Sequence, residues 1–292
     1  MLSNRLTAYK KIALIGMGKN VGKTTVLNHL IAGFAAQDIP LALTSIGRDG
    51  EDTDVVTKTA KPRIFVPAGS IIATAESLLP LCETTREILD VTDYHTPMGR
   101  IVIMRALSAG RVQIAGPSIV AQMAQMLEIL PPVGKVIIDG AISRKSLAAP
   151  HVADCAVLCT GAAISPDINA VIAQTRHAAE MYSLPVAAPS EHNIALQGIV
   201  TDSKIQALLN VPDLKNKRII AEDAGKIFIS AAVYEKLKIR QGRLAVKNSI
   251  KLAAIAINPT SPQGVNFPPG EFLKKMSASI TIPVYDVMGG GR

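Results

Sequence analysis

The stretch Ile12-Ala13-Leu14-Ile15-Gly16-Met17-Gly18-Lys19-Asn20-Val21-Gly22-Lys23-Thr24-Thr25, near the amino terminus, determines most of what this sequence predicts. Its first four residues form a short apolar run typical of a buried strand, and residues 26–34 have the apolar spacing of a helix. Glycines between the two allow backbone N–H groups to approach an anion closely, and a helix N-terminus attracts negative charge. The order strand, glycine turn, helix therefore predicts a phosphate-binding loop.

The residues of this loop have predicted roles in binding ATP and Mg²⁺. Lys23 is expected to reach the β- and γ-phosphates and to act in catalysis, and the Thr24 hydroxyl is expected to ligate Mg²⁺. The residues predicted to contact the nucleotide are Gly18, Lys19, Asn20, Val21, Gly22, Lys23, Thr24 and Thr25. The alternative is a chance Gly-Lys-Thr at a helix start, which the flanking strand and helix patterns disfavour. The pattern does not distinguish ATP from GTP.

The composition favours an aliphatic core. Hydrophobic residues make up 48% of the 292 residues, aromatic residues only 3%, and Trp is absent. Strands of a parallel sheet that is buried on both faces read as continuous Val, Ile and Leu runs, and several such runs alternate here with helical patterns. The predicted fold is α/β, a mostly parallel, doubly wound sheet. A helix is predicted over 70–81, and a pair of strands over 100–106 and 111–116 joined by a turn.

The chain is predicted to have three parts. Residues 1–188 form a nucleotide-binding core, residues 189–250 a small inserted α+β subdomain, and residues 251–292 the strands that complete the core. The insert is more charged than its surroundings, and apolar runs resume after it at 252–259 and 282–287. No internal repeat is visible in the sequence.

The net charge of +8 and the pI near 9.4 permit an anionic partner. Nucleic acid is disfavoured because the cations are dispersed and aromatic residues for base stacking are nearly absent. A basic excess from Lys215 to Lys251 makes the insert either a surface for an acidic protein or ordinary solvated decoration. The three cysteines argue against a disulfide framework, and the absence of a signal peptide or long apolar run predicts a soluble, cytoplasmic protein with no membrane contact.

Acidic residues at strand ends are candidates for catalysis and metal binding. Asp139 ends an apolar strand and is predicted to hold Mg²⁺, the alternative being a turn residue before Gly140. Asp49 follows the second strand and is predicted to ligate Mg²⁺ or position water, although its loop, with Glu51, Asp52 and Asp54, also fits a solvated acidic segment. Arg48 fits either a phosphate contact or a surface position.

Other candidate residues are less specific. Arg144 and Lys145 fit an anion-binding pair and surface charges equally well. The segments 108–111 and 116–118 follow strands, where substrate-binding loops tend to lie. The five histidines have no metal-ligand spacing.

The glycine loop has five residues between Gly16 and Gly22, which resembles the loop of dethiobiotin synthetase, the cobyrinic acid diamide synthases and the MinD-like ATPases. Lys19 lies one position away from the signature lysine of MinD. In dethiobiotin synthetase-like proteins, a late strand ends in an Asn that contacts the nucleotide base, and a Pro-containing strand end helps to close the base pocket. The resemblance implies that Asn258 contacts the base and that Ile282-Pro283-Val284 closes the pocket.

Residues 16–30, 45–52 and 139–141 also resemble a subunit of the reactivating factor for lysine 5,6-aminomutase. This resemblance implies a chaperone-like ATPase whose partners are a cobalamin-dependent aminomutase and a second reactivase subunit, with a homodimer also possible. The alternative is a dethiobiotin synthetase-like ligase or kinase in which Lys19, Arg144 and Lys145 hold a small carboxylate. A third possibility is a nucleotide-binding regulator with negligible turnover.

Overall fold

The computed structural model describes residues 1–46, 63–140, 152–188 and 193–289. These residues form an α/β fold around a mixed sheet of nine strands. Numbered in chain order and given in spatial order, the strands are β16 (Val284–Asp286), β15 (Lys251–Asn258), β9 (Cys155–Gly161), β1 (Lys11–Gly16), β8 (Lys135–Asp139), β2 (Leu41–Ser45), β4 (Ile71–Ala75), β6 (Gly99–Ala106) and β5 (Arg86–Thr96). The strands from β16 to β4 are parallel, whereas β6 and β5 are antiparallel to their neighbours. The prediction of a mostly parallel sheet is therefore confirmed.

Helices cover both faces of this sheet. They are α1 (Leu2–Arg5), α2 (Lys23–Ala35), α3 (Val120–Glu128), α4 (Ile168–Tyr182) and α7 (Pro269–Ser279). The side chains of α1 and α2 share one buried cluster with Ile12 and Leu14 of β1, whereas those of α3, α4 and α7 share the other with Ala13 and Ile15. Alternate residues of β1 thus enter opposite layers of the core, which explains why the strand is apolar throughout.

The helix predicted over 70–81 is wrong. Residues 71–75 form β4, hydrogen-bonded between β2 and β6, and Glu76–Leu81 form a 3₁₀ helix that contains Pro80. All five side chains of β4 are buried. Two consecutive β-branched isoleucines fit a pleated strand between two neighbours better than a helix.

The predicted pairing of 100–106 with 111–116 is also wrong. Only Gly110–Val112 forms a strand, β7, and it pairs with β3 (Ile64–Val66) rather than with β6. The Asn28 side chain of α2 holds this pair: Nδ2 donates to the Arg63 carbonyl (3.0 Å) and Oδ1 accepts from the Phe65 N–H (3.2 Å). The partner of β6 is instead β5, a strand that the sequence analysis did not predict.

The described part of the insert, residues 193–250, has a parallel sheet of its own. Its strands β10 (Asn193–Ala195), β12 (Arg218–Asp223) and β14 (Arg243–Asn248) are parallel, and β11 (Val200–Thr201) pairs in parallel with β13 (Ile227–Phe228). The helices α5 (Asp202–Leu208) and α6 (Ala231–Ile239) alternate with these strands. The arrangement is therefore α/β and not the predicted α+β, because each helix carries the chain back to start the next parallel strand.

A repeat of secondary structure, invisible in the sequence, organises this region. The units β11-α5-β12 and β13-α6-β14 pair strand with strand, and α5 contacts α6. Asp202 at the start of α5 accepts a hydrogen bond from the N–H of Ser230, the N-cap of α6 (2.6 Å). The two units share an apolar cluster with Met181 and Leu184, at the end of α4. The chain then returns to the large sheet through β15 and β16. In the part of the chain that is described, no helix is both long and apolar enough to cross a lipid bilayer.

Candidate functional site

The carboxyl ends of four parallel strands meet at one edge of the large sheet. At this edge β1 ends at Gly16, β8 at Asp139, β9 at Gly161 and β15 at Asn258. Hydrogen-bonding register places Gly16 beside Cys159 and Gly161 beside Asn258. Ligands of α/β sheets bind at such an edge, where the order of the strands reverses. The structure therefore brings Asp139 and Asn258 to the same edge as residues 16–22, here called the glycine turn.

The glycine turn is attached to β9 and to the loop that follows it. The Met17 N–H donates to the Cys159 carbonyl (3.0 Å), and a Cβ at Gly18 would lie 2.8 Å from Cδ1 of Ile164. Asn20 and Gly22 have left-handed backbones, with φ of 58° and 87°. These contacts hold the turn closely against the sheet edge.

Helix α2 starts directly after the glycine turn with its N-terminus uncapped. Gly22 is the N-cap, no side chain caps the helix, and its first turn contains no acidic residue. The first N–H groups of an α-helix have no partner within the helix, and the helix dipole adds positive potential there. Thr24 and Thr25, both half-buried, lie in this first turn. The local backbone thus presents hydrogen-bond donors to an anion.

Lys23 folds back over the glycine turn toward β8. A Cβ at Gly16 would lie 2.9 Å from Cδ of Lys23, so only glycine leaves room for the lysine stem. The Lys23 ammonium donates to the Gly140 carbonyl and lies 3.6 Å from Oδ1 of Asp139. The two side chains are only 17% and 21% exposed, so this ion pair is weakly screened by solvent.

Asp139 has the electrostatics of a carboxylate that lacks a full set of partners. Burial raises its pKa above the usual value of 3.8, while the charge of Lys23 acts to lower it. Oδ1 is buried and accepts no hydrogen bond from any described residue. A buried carboxylate oxygen without a hydrogen bond is costly, and a cation or a donor at this position would relieve the cost.

Asn258 lies against the glycine turn from the side of β15. Its Oδ1 accepts hydrogen bonds from the N–H (3.0 Å) and the hydroxyl (2.9 Å) of Thr260. A Cβ at Gly22 would lie 3.1 Å from both Cβ and Nδ2 of Asn258. Thr260 therefore occupies the acceptor end of the amide and leaves its donor end beside the turn.

We predict that Gly22→Ala destabilises the protein more than Gly69→Ala does. Both glycines have left-handed backbones (φ 87° and 86°), but a Cβ at Gly69 would meet nothing within 4 Å, whereas one at Gly22 would press on Asn258. The backbone cost alone is about 1–2 kcal/mol and is common to both variants. Chemical denaturation measures the difference, and isothermal titration with ATP·Mg²⁺ is expected to show a loss of affinity in Gly22→Ala only. Equal stability losses would contradict the close contact between Gly22 and Asn258.

Several predicted site residues lie outside the described residues, namely Arg48, Asp49, Glu51, Asp52, Asp54, Arg144 and Lys145. Within the glycine turn, Lys19 and Asn20 are exposed and Val21 is buried. The two predicted substrate loops differ in position. Gly116 lies against the end of β2, since a Cβ there would be 2.1 Å from the Ser45 carbonyl, whereas Gly110 lies against Glu83.

The sequence analysis missed two residues that shape this edge. Ile164 supports Gly18, and Gly161 allows β9 to approach β15, since a Cβ there would be 2.1 Å from the Asn258 carbonyl. A glycine that ends a buried strand was the available signal for the second. The interpretation of the cysteines as small buried residues is confirmed: all three are free and buried, and burial raises the pKa of Cys159 to about 12.

Comparison with known proteins gives no match: no family model matches the chain, and neither a curated protein nor a solved structure is significantly similar to it. Among residues 1–46, 63–140, 152–188 and 193–289, no group of three His, Cys, Asp or Glu side chains has the arrangement of a metal site. The functional assignment therefore rests on the chemistry of the sheet edge itself.

Proposed function

We propose that this chain binds ATP together with Mg²⁺ and hydrolyses it. The observation that carries the proposal is the Lys23–Asp139 ion pair (3.6 Å) beside an uncapped helix N-terminus and a glycine turn. Free N–H groups and a lysine suit the phosphates, and an adjacent buried carboxylate suits the cation that accompanies them. In the ligand-free arrangement Lys23 and Asp139 neutralise each other, and an incoming phosphate chain would compete with Asp139 for the lysine.

The residues present fit Mg²⁺. Oδ1 of Asp139 is a buried acceptor without a hydrogen bond among the described residues, and the Thr24 hydroxyl lies in the first turn of α2. Mg²⁺ is commonly held by one or two protein ligands together with phosphate oxygens and water, so it needs no cluster of three acidic residues. When bound, the ion supplies positive charge that stabilises the negative charge developing on the phosphates. Asp139 and Thr24 would position it, and Asp49 remains a candidate third ligand.

Asn258 is our candidate for contact with the base. Because Thr260 occupies Oδ1, the amide offers its Nδ2 donor to an acceptor atom of the ligand. Asn258→Asp keeps the acceptor for Thr260 but removes the donor and adds a negative charge near the phosphates. We expect ATP affinity to fall about tenfold to a hundredfold, the cost of replacing a hydrogen bond by a buried repulsive contact. Isothermal titration measures it, with Asn266→Asp, in an exposed loop, as the control; equal affinities would exclude Asn258 from the nucleotide site.

We further propose that ATP turnover serves a protein partner, a cobalamin-dependent aminomutase acting with a second reactivase subunit. Two observations support this. Apart from Lys23 and Asp139, the described sheet edge presents no acid–base pair for chemistry on a small molecule, and the described part of the insert has an apolar cluster of its own. That cluster includes the end of α4, whose helix starts close to Ile164 beneath the glycine turn. The helix thus connects the two regions.

The test compares the rates of ATP hydrolysis with different additions. A cobalamin-dependent aminomutase inactivated by loss of its cofactor's activity is expected to stimulate turnover strongly, and a panel of small carboxylates is not. Lys23→Ala, added to the same assay, separates the turnover of this chain from contaminating ATPases. Stimulation by a small carboxylate, with one ADP formed per product, would favour a dethiobiotin synthetase-like ligase or kinase instead.

A further inference from the structure

Residues 193–250 carry most of the positive charge of the chain. They contain ten Lys and Arg residues and five Asp and Glu residues, a net charge of +5 out of the +8 of the whole chain. Their sheet and helices contribute little to the nucleotide edge described above. The charge therefore requires an explanation of its own.

The acidic residues of this region are already engaged. Glu222 pairs with Lys226, and Glu235 pairs with Lys238 (2.6 Å). Asp202 accepts a hydrogen bond from Ser230, and Asp223 is buried. Lys238, one of the cations in the basic excess of the sequence, is thus neutralised locally, and the unbalanced charge lies elsewhere.

Five cations gather at the amino ends of β12 and β14. We call Lys215, Lys217, Arg218, Arg240 and Arg243 the amino-end surface. Arg218 and Arg243 are the first residues of the two strands and face each other in register, while the other three lie in the segments just before the strands. Within the described residues none of the five forms a salt bridge or a side-chain hydrogen bond. Like charges on neighbouring strands are destabilising, so this cluster costs stability without a return inside the fold.

A concave pocket of about 350 Å³ opens at the same end of the small sheet. It is lined by residues 210–215 and 239–241, which brings Lys215 and Arg240 to its walls. Ile239 also lines the pocket and is 77% exposed, the largest exposure of an Ile, Leu, Val or Phe side chain in the described chain. The surface thus combines unbalanced positive charge with an exposed apolar contact.

We propose that the amino-end surface binds an acidic segment of another protein that carries an apolar side chain. Carboxylates would neutralise the five cations, and the apolar side chain would cover Ile239 in the pocket. Nucleic acid fits less well, because no aromatic residue lines the pocket to stack on a base. The inference is independent of the nucleotide site and holds or fails without ATP.

The test uses the full chain and a fluorescein-labelled synthetic peptide of glutamates flanking one leucine. Fluorescence anisotropy is expected to show binding that weakens as salt is added. The variant Lys215→Gln/Arg240→Gln/Arg243→Gln should bind the peptide about tenfold or more weakly, because three charged contacts are lost together. The matched control, Arg5→Gln/Lys10→Gln/Lys274→Gln, removes the same charge from exposed positions elsewhere and should bind within about twofold of the original chain.

Two further measurements keep the test decisive. Arg240→Lys/Arg243→Lys, which keeps the charge, should retain binding, and melting curves of every variant verify that it is folded. Oligothymidylate of equal net charge replaces the peptide in a parallel titration. The proposal is overturned if both triple variants lose affinity equally, if the chain does not bind the peptide, or if it binds oligothymidylate more tightly than the peptide.

Discussion

Lys23→Ala is expected to lower the affinity for ATP·Mg²⁺ about a hundredfold or more while leaving the fold intact. The ammonium is the only described side-chain cation beside Asp139 at the sheet edge, and charge-assisted hydrogen bonds to phosphate are worth about 1.5–3 kcal/mol each. The stem of Lys23 packs on Gly16 but adds little to the core, as 17% of the side chain remains exposed. Isothermal titration measures affinity, and circular dichroism monitors the fold.

Lys23→Met provides the matched control for packing. Methionine keeps an unbranched stem over Gly16 and removes only the charge, so it is expected to lose affinity as Lys23→Ala does. If Lys23→Met binds normally while Lys23→Ala does not, the stem matters and the charge does not. Unchanged affinity and turnover in both variants would remove the basis for a phosphate-binding loop.

Asp139→Asn is expected to abolish most of the Mg²⁺-dependent turnover while keeping much of the affinity for ATP. Asparagine has nearly the same shape but lacks the negative charge that would hold the cation. The contacts of the phosphates with Lys23 and the first turn of α2 would remain. ATP affinity measured with and without Mg²⁺ separates the two effects, because the advantage given by Mg²⁺ should disappear in the variant. Turnover at the original rate would make Asp139 a turn residue and leave Asp49 as the candidate metal ligand.

The same substitution should not lower the stability of the ligand-free protein. Burial raises the pKa of Asp139 above 3.8, so the folded state holds this proton more tightly than the unfolded state does. The carboxylate therefore reduces the free energy of unfolding as pH rises from about 3.8 through its raised folded-state pKa, and this loss is absent at lower pH. Asp139→Asn removes the loss, so its stability relative to the original chain should improve across that window.

Melting temperatures of the two proteins over a range of pH test this expectation. Asp154→Ala is the contrasting variant, because Oδ2 of Asp154 accepts hydrogen bonds from the N–H groups of Lys10 and Lys11 (2.8 Å each). Its loss should lower the free energy of unfolding by about 1–3 kcal/mol. A marked loss of stability in Asp139→Asn at neutral pH would mean that the ion pair with Lys23 outweighs the cost of burying the carboxylate.

The features that the sequence determined by itself are local ones. The strand, glycine turn and helix around Lys23 were predictable because apolar period, glycine and helix start lie within one short stretch. The strands that end at Asp139 and Asn258 were predictable because each is a continuous apolar run, the pattern of a strand buried on both faces. Parallel packing of such strands then brings their carboxyl ends to one edge.

The tertiary structure decided what depended on distant partners. Ile71–Ala75 is a strand because β2 and β6 provide hydrogen bonds on both sides, and β7 left its expected partner because Asn28 holds β3 beside it. The parallel order of the insert, the ion pair of Lys23 with Asp139 and the contact of Asn258 with Gly22 likewise join residues far apart in the chain. Local pattern records which face of an element is buried, but not which segment buries it, and that choice is made only when the whole core packs.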